Sequence, residues 1–420
     1  MVSFLIHGIE LVILLWMSFN VLYVSFFSIC GLFYKRQKPP TGKKIILNRF
    51  VLIVPSYKND EVILDSIAKN IDQNYPIDKF KLFVVADSLQ PETIEKLLSW
   101  PISVLPVSFD ESTKAKALNK ALSVLPDNTF DYAVVLDIDN IMGENFLHHL
   151  NVRLQSKEEV IQGYRTAKNA DSDFAVLDGI SEQINNHIFR KGHATIKLSS
   201  TLAGSAMAIR MDVFKEAMKQ IHTAVEDKEL EFYFMNNSMK VLYEPNAIVY
   251  DEKVQDSTVF LKQRTRWVAS HYLNFTAIFS EGIKKFWLNG NADFLDKAFQ
   301  RLILPRVLIV GFSFLLSFLY FIPLFNYGSI FFYLFILCAF SYLLAIPSKF
   351  IDKKLIHAIL KLPYAFLLMI LAYFKMNNSL KVFSHTQHAF DDVSLGTSQQ
   401  SIKLSGHKQG ELLPILNDSI

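Results

Sequence analysis

Tyr132-Ala133-Val134-Val135-Leu136-Asp137-Ile138-Asp139 is an unbroken apolar run that ends on two carboxylates one residue apart. A short run of this kind, rich in β-branched residues and closed by polar ones, reads as a strand buried on both faces. Three runs upstream have the same character: Phe50 to Val54, Lys81 to Ala86 and Ser103 to Val107. Longer amphipathic segments alternate with them, and their turn and capping residues predict helices over Glu61 to Asn70, Glu92 to Leu98, Lys114 to Leu122 and Asn145 to Gln155. Strand-helix-strand units between Phe50 and Tyr250 imply an α/β fold around a parallel sheet. Ligands of such sheets bind in the crevice beyond the carboxyl ends of the strands. The Pro55 to Asp60 turn, Asp87, Asp137 and Asp139 all fall there.

The chain has 420 residues, of which 51% are hydrophobic, with a formal net charge of +3. It is too apolar for an ordinary soluble enzyme and long enough for one substantial core plus membrane spans. The near-balance of charge carries no signature of a nucleic-acid binder, so no nucleic acid is expected as a partner. Cys30 and Cys338 are the only two cysteines and both lie in apolar runs, which excludes a disulfide framework and a cysteine metal site.

From Phe4 to Phe33 the chain is almost wholly apolar, with His7 and Glu10 near its start. That stretch exceeds the roughly 20 residues a spanning helix needs and the h-region of a signal peptide, and no basic n-region precedes it. Lys35, Arg36, Lys38, Lys43 and Lys44 follow, which favours a cytoplasmic location for what comes next. A second apolar block runs from Leu302 to Phe325, breaks at Asn326-Tyr327-Gly328 and resumes from Ile330 to Ile346 before Lys349, Lys353 and Lys354. It predicts a transmembrane hairpin returning to the cytoplasm. Leu362 to Phe374 is short for a straight span and reads as an interfacial helix. The Ser-, Gln-, Gly- and Lys-rich tail beyond Asp391 reads as mobile.

Residues two apart in an extended segment point the same way, so Asp137 and Asp139 can face one hard cation, or a cation and a ribose. A divalent ion there would bridge the phosphates of a nucleotide sugar. Taken alone, the pair reads equally well as two solvated loop aspartates. Glu226-Asp227 reads as an acidic helix start, favoured by the helix dipole, or as a rigid mount for a general base. Gln263, Arg266 and Trp267 lie three and four residues apart, so one helical face presents all three. The surrounding Val259 to Phe279 also has the mixed aromatic and basic pattern of an interfacial helix. His148 and His149 read as helix residues, exposed or packed, rather than ligands.

In order and spacing these residues resemble the family 2 glycosyltransferases, particularly the membrane-bound branch of cellulose, chitin and hyaluronan synthases. The strongest elements are Asp137-Ile138-Asp139, Glu226-Asp227 and Gln263-Arg264-Thr265-Arg266-Trp267, which matches the family's Gln-x-x-Arg-Trp signature. Pro55-Ser56-Tyr57, Asp87, Lys114 within Lys-Ala-Lys-Ala-Leu-Asn, and Gly204-Ser205 add weaker support. Phe383-Ser384-His385-Thr386-Gln387-His388 is similar to a cytoplasmic segment that follows the last spans in some relatives. Val225 stands where the family often has Thr, and Lys58-Asn59-Asp60 departs from its usual Asn-Glu-Glu.

The resemblance implies a Rossmann-like nucleotide-sugar domain of the GT-A type inserted between transmembrane helices. It implies Asp227 with Glu226 as catalytic carboxylates, and Asp137 and Asp139 as ligands of Mg2+ or Mn2+. Donor and acceptor contacts would come from Asp87, Lys114, Asp137, Gly204, Ser205, Gln263, Arg266 and Trp267. The expected layout is an anchor over 1–34, a cytoplasmic transferase domain over 35–255, and interfacial helices over 256–298. A transmembrane hairpin with a third apolar helix follows over 299–376, then a tail over 377–420. The expected donor is a nucleotide-diphosphate sugar, uridine-linked by preference, and the acceptor a growing glycan or a lipid-linked one at a multi-pass inner-membrane enzyme. Few spans are available for a channel, so an export partner or homo-oligomer is expected alongside membrane lipid. The rival is a catalytically silent scaffold subunit, against which the intact Asp137, Asp139, Asp227 and Trp267 argue.

Overall fold

A computed structural model describes residues 2–36, 45–156, 158–221, 223, 225–272, 275–379 and 411–412. Lys38, Lys43, Lys44 and the Phe383 to His388 tract lie outside the described residues, as does nearly all of the tail. The chain divides into two compact units: one comprises residues 37–169, 202–252 and 383–420, the other 1–36, 170–201 and 253–382.

The first unit is built on one sheet. Its strands are β1 (Phe50–Tyr57), β2 (Phe80–Asp87), β3 (Ser103–Val107), β4 (Tyr132–Val135), β5 (Ile141–Met142), β6 (Val160–Ala167), β7 (Met207–Arg210), β8 (Val241–Asp251) and β9 (Glu411–Leu412), in the order β5-β8-β6-β7-β4-β1-β2-β3-β9. β4, β1, β2 and β3 are parallel neighbours, as the apolar runs predict. Val51, Leu52, Ile53 and Val54 of the central β1 are no more than 1% exposed, because helices cover a parallel sheet on both faces and leave no polar side for a strand to alternate toward.

The other half of the sheet departs from the parallel expectation. β7 runs antiparallel to both β4 and β6, while β6 and β8 are parallel to each other. The fold is therefore mixed α/β. β1 also extends through Pro55-Ser56-Tyr57, which belongs to the strand and not to a turn after it. The turns come one residue later, at Lys58 (φ +53°) and Ser88 (φ +56°), each in the left-handed region.

The β6–β8 pairing is irregular at one step. Gly163 pairs with Glu244 and Tyr164 with Ile248, so Pro245, Asn246 and Ala247 are extra residues on β8. A Cβ at Gly163 would lie 2.8 Å from the carbonyl oxygen of Ala247 and 3.0 Å from that of Ala206, both backbone atoms that cannot swing aside.

The second unit is helical. Val2–Leu32 is a 31-residue helix, and its Phe4–Leu32 portion is long and apolar enough to cross a membrane. Lys353–Ile359 with Leu362–Met376 passes the same criterion only as a pair bent by 50°. The expected hairpin is made of shorter helices, Arg306–Ser317 and Gly328–Leu344, of 12 and 17 residues. At about 1.5 Å per residue they reach roughly 18 and 26 Å, short of the ~30 Å hydrocarbon core. Helix length thus supports one straight span and does not support the multi-pass arrangement expected from hydropathy.

Glu10, the odd charge in the apolar N-terminal run, is buried. Its carboxylate accepts from the backbone N–H of Tyr327 at 2.7 Å and of Asn326 at 3.2 Å, just ahead of Gly328–Leu344. An anion at a helix N-terminus is stabilised by the unsatisfied N–H groups there.

Gly163→Ala is expected to destabilise the protein by about 1–3 kcal/mol, the usual cost of overpacking. Thermal unfolding would show it as a lowered Tm against wild type.

Candidate active site

Lys114 is the first residue of the helix Lys114–Val124, whose N-cap Thr113 accepts from the Lys116 N–H at 3.2 Å. Its ammonium donates to the Asp137 carboxylate and, at 2.8 Å, to the Gly204 carbonyl oxygen, and it lies 3.5 Å from Glu226. This one amine thus joins three other residues singled out from the sequence. Burial alone would lower the Lys114 ammonium, but Asp137 and Glu226 beside it hold it above a lysine's ordinary value. Burial would likewise raise Asp137, yet the charges of Lys114 and Arg165 outweigh it and hold the carboxyl down at about 2.

Asp137 and Asp139 do not follow the alternation of an extended strand. β4 ends at Val135, and the Asn140 N–H bonds back to the Asp137 carbonyl oxygen at 3.1 Å, so the pair sits in a turn. Each carboxylate has its own neighbours: Lys114 at Asp137, and the backbone N–H of Glu252 at Asp139, 2.7 Å away. Two asparagines that the sequence reading passed over pin this turn. Asn140 accepts from the Asp137 N–H at 3.1 Å, and Asn70 bonds the Asn140 carbonyl oxygen at 2.7 Å and the Met142 N–H at 2.7 Å. Their signal was position alone, one directly after the Asp pair and the other ending a helix.

No group of three or more His, Cys, Asp or Glu side chains able to hold a metal occurs among the described residues. His148 and His149 lie edge to face on the helix Phe146–Arg153. Asp137 and Asp139 therefore offer a pair of hard oxygen donors and no closed cage. That fits Mg2+ or Mn2+, which commonly take one or two carboxylates and complete their shell with substrate phosphates.

Glu226 and Asp227 open the helix Glu226–Asn236, so the acidic helix start and the rigid mount are both present. They are not equivalent. Glu226 is buried, and desolvation together with the nearby charges of Asp227 and Asp137 overcomes Lys114 and pushes it up to about 7. The Asp227 side chain is 24% exposed and faces the turn at Gly204. Gly204 has φ +80°, and a Cβ there would sit 3.7 Å from Cβ and 3.9 Å from Oδ2 of Asp227. Ser205 is fully buried. Asp87, the last residue of β2, is buried and accepts from the Ser88 hydroxyl at 3.0 Å.

Gln263, Arg266 and Trp267 belong to the helical unit, on the helix Ser257–Tyr272. Trp267 is 42% exposed, whereas Arg264, a variable position of the signature, is buried and ion-paired with Asp178. The Arg264 guanidinium also lies 4.1 Å from the Trp267 ring centroid, a cation–π arrangement that fixes the indole from one side. The Gln263 Oε1 is buried without a partner among the described groups.

The family described as Glycosyltransferase like family 2 matches residues 48–270. Among curated proteins, "Probable glycosyltransferase YdaM" of Bacillus subtilis (strain 168) is 22% identical over 232 residues, which are 53% of this chain and 54% of that protein. The chain thus spans about half the length of the relative it matches. Solved structures that are similar include the mannosyltransferase PcManGT from Pyrobaculum calidifontis in complex with GDP-Man and Mn2+, 14% identical with a TM-score of 0.45 over 78% of this chain and 99% of that one. TarS 1-349 of S. aureus in complex with UDP-GlcNAc is also 14% identical, with a TM-score of 0.40 over 79% of this chain and 91% of that one.

Two outcomes are expected of this geometry. Gly204→Ala, which meets Asp227 only at ordinary contact distance but is strained at φ +80°, should destabilise the protein by about 1 kcal/mol or more, read as a lowered Tm. Glu226, raised in the fold, is protonated there at pH values where the unfolded chain has already lost its proton. Ionising it therefore costs stability as pH rises from about 4.5 to about 7. Glu226→Gln should accordingly gain in Tm over wild type between pH 5 and pH 8, as differential scanning fluorimetry would read.

Proposed function

The chain belongs to glycosyltransferase-like family 2, and on that premise we propose that it moves a sugar, with inversion, from a nucleotide-diphosphate donor to a growing glycan at the membrane face. The observation that carries this reading is the junction at Lys114. There Asp137, the start of the Glu226–Asn236 helix and the Gly204 turn meet beyond the carboxyl ends of the parallel strands.

In the reaction the acceptor hydroxyl oxygen forms a bond to the anomeric carbon. The bond from that carbon to the diphosphate breaks, its electron pair leaving with the diphosphate, and the hydroxyl proton passes to Asp227. Asp227 suits the task because its carboxylate is partly open and rigidly mounted, so a substrate oxygen can come within hydrogen-bonding reach. Lys114 and Arg165 place positive charge at Asp137, on the side where the diphosphate gathers negative charge. A divalent ion bound at Asp137 and Asp139, Mg2+ or Mn2+, would supply further charge neutralisation there. Asp87 and Lys114 take the nucleotide, Gly204 lines the acceptor side with Ser205 buried behind it, and Glu226 keeps Lys114 in place. The roles of Gln263, Arg266 and Trp267, in donor diphosphate and acceptor sugar contacts, rest on their match to the family signature.

The Gln-x-x-Arg-Trp tract favours chain extension over single-sugar transfer to a lipid-linked acceptor. The apolar helix Phe4–Leu32 and the basic residues after it support an inner-membrane protein with its catalytic unit cytoplasmic. A uridine-linked donor is the expected one.

A panel of nucleotide sugars incubated with membranes containing the protein, with Mg2+ or Mn2+, tests the reading. One donor should give a ladder of labelled products. A single added sugar would favour the lipid-linked alternative, and no transfer or hydrolysis from any donor would leave the scaffold role. Asp227→Asn should reduce transfer by about 10²–10⁴-fold, the usual contribution of a general base.

A further inference from the structure

The segment Ala203-Gly204-Ser205-Ala206 belongs to no helix, and only its last carbonyl oxygen bonds a strand, the Gly163 N–H at 2.7 Å. Buried backbone groups in such a segment need partners from elsewhere. Here side chains supply the partners of the Ala203 N–H and of the Ala203, Gly204 and Ser205 carbonyl oxygens. The Gln162 Oε1 accepts from the Ala203 N–H at 2.9 Å, and its Nε2 donates to the Ser205 carbonyl oxygen at 2.9 Å. Arg165 Nη1 donates to the Ala203 carbonyl oxygen at 2.5 Å, while Nη2 is held by Asp251 at 2.5 Å. Lys114 takes the Gly204 carbonyl oxygen.

Two features show that this clamp works against the chain's own preferences. Ala206 has φ +54°, a conformation that an L side chain rarely adopts, and it is wholly buried, so no solvent or neighbouring freedom relaxes it. Gln162 and Arg165 are three residues apart on β6, and in a regular strand they would point to opposite faces. They flank the Gly163–Tyr164 step, where the pairing with β8 slips by three residues, and there both side chains reach the same residue, Ala203. Strand irregularities of this kind are a usual means of re-aiming side chains near active sites.

We propose that Gln162 and Arg165 are positioning residues for sugar transfer, acting through the backbone of Ala203–Ser205 to hold the Gly204 turn beside Asp227. Neither touches the donor or the acceptor. Beyond the charge that Arg165 places at Asp137, which Arg165→Lys retains, their effect is on the space between Gly204 and Asp227 Oδ2, in which the acceptor hydroxyl is delivered. This rests on the reading that Asp227 takes the acceptor proton. Backbone strain held by surrounding contacts is a recurrent feature of catalytic sites. The Gln162 amide is suited to the task because it presents one acceptor and two donors in a fixed plane, so it bonds both sides of the turn at once.

The experiment compares full-length wild type, Gln162→Leu, Arg165→Lys and Gln162→Leu/Ala206→Gly in membranes, with the donor that wild type uses. Gln162→Leu keeps the volume and deletes every hydrogen bond. Arg165→Lys keeps the charge and loses the bridge between Ala203 and Asp251, which covers the case in which Gln162→Leu fails to fold. Each is expected to lose at least tenfold in kcat, with the donor KM within twofold of wild type. Ala206→Gly, which makes the positive φ favourable, should return several-fold of the kcat lost in Gln162→Leu. A structural defect alone would depress the amount of active protein and would not be rescued by glycine. Unchanged kcat in a folded Gln162→Leu or Arg165→Lys, a parallel shift of donor KM, or no rescue by Ala206→Gly would overturn the proposal with the transferase reading intact. An inactive wild type across all donors would instead overturn that reading.

Discussion

The first unit's chemistry hangs on where one ammonium ion sits. Lys114 opens a helix, and a cation at a helix N-terminus faces the positive end of the dipole, the unfavourable sign. Its position makes sense only with what surrounds it: Asp137 in contact, Glu226 at 3.5 Å and the Gly204 carbonyl oxygen at 2.8 Å. The reverse dependence is as strong. Asp137, Glu226 and Asp227 bring three carboxyl groups close together, and Lys114 and Arg165, with Lys228 at Asp227, oppose their repulsion. Removing one partner of a buried pair strands the other charge in a medium that cannot solvate it. The Asp turn, the start of the Glu226–Asn236 helix and the Gly204 turn are thus tied to one another through the Lys114 ammonium.

What could be read in advance follows from how local each signal is. β1, β2, β3 and β4 were legible because a strand buried on both faces leaves an uninterrupted apolar run, and the helix Lys114–Val124 was legible to its first residue because Thr113 caps it. β6, β7 and β8 were not, since β6 and β8 pair in parallel across some 80 positions with β7 antiparallel beside β6, and no local pattern encodes that order. At the site, the acidic residues announced themselves by type and spacing. Asn70, Asn140, Gln162 and Arg165 did not, because their work is to satisfy particular backbone groups that only the folded chain brings within reach. The alternation rule failed at Asp137 and Asp139 for a definite reason: it describes extended chain, and Asn140 closes a turn there.

The helical unit shows the same division between residues that identify and residues that hold. In Gln263 to Trp267 the signature positions are Gln263, Arg266 and Trp267, yet Arg264 is the one that buries its charge against Asp178 and braces the indole. A variable position can carry an anchoring role because many side chains can anchor, whereas few can present a flat aromatic face with a fixed orientation. Glu10 is the complementary case. Hydropathy marks it as a flaw in an apolar run, and the structure makes it the partner of two backbone N–H groups just ahead of a helix.

Two adjacent acids at one helix start invite the question of which takes the proton. Successive residues on a helix point about 100° apart, so Glu226 and Asp227 meet different surroundings although their backbones are neighbours. Glu226 turns inward to Lys114, where desolvation and two other carboxyls raise it, and a group there is shielded from any incoming hydroxyl. Asp227 turns to the Gly204 turn, partly open, with Lys228 at 3.6 Å as its nearest ion-pair partner. The base of a transfer reaction has to meet a substrate oxygen that arrives from outside, and of the two only Asp227 has that access. In the proposed transfer the buried glutamate has a different use: 3.5 Å from Lys114, it would keep cationic charge on the donor side while its neighbour accepts the proton.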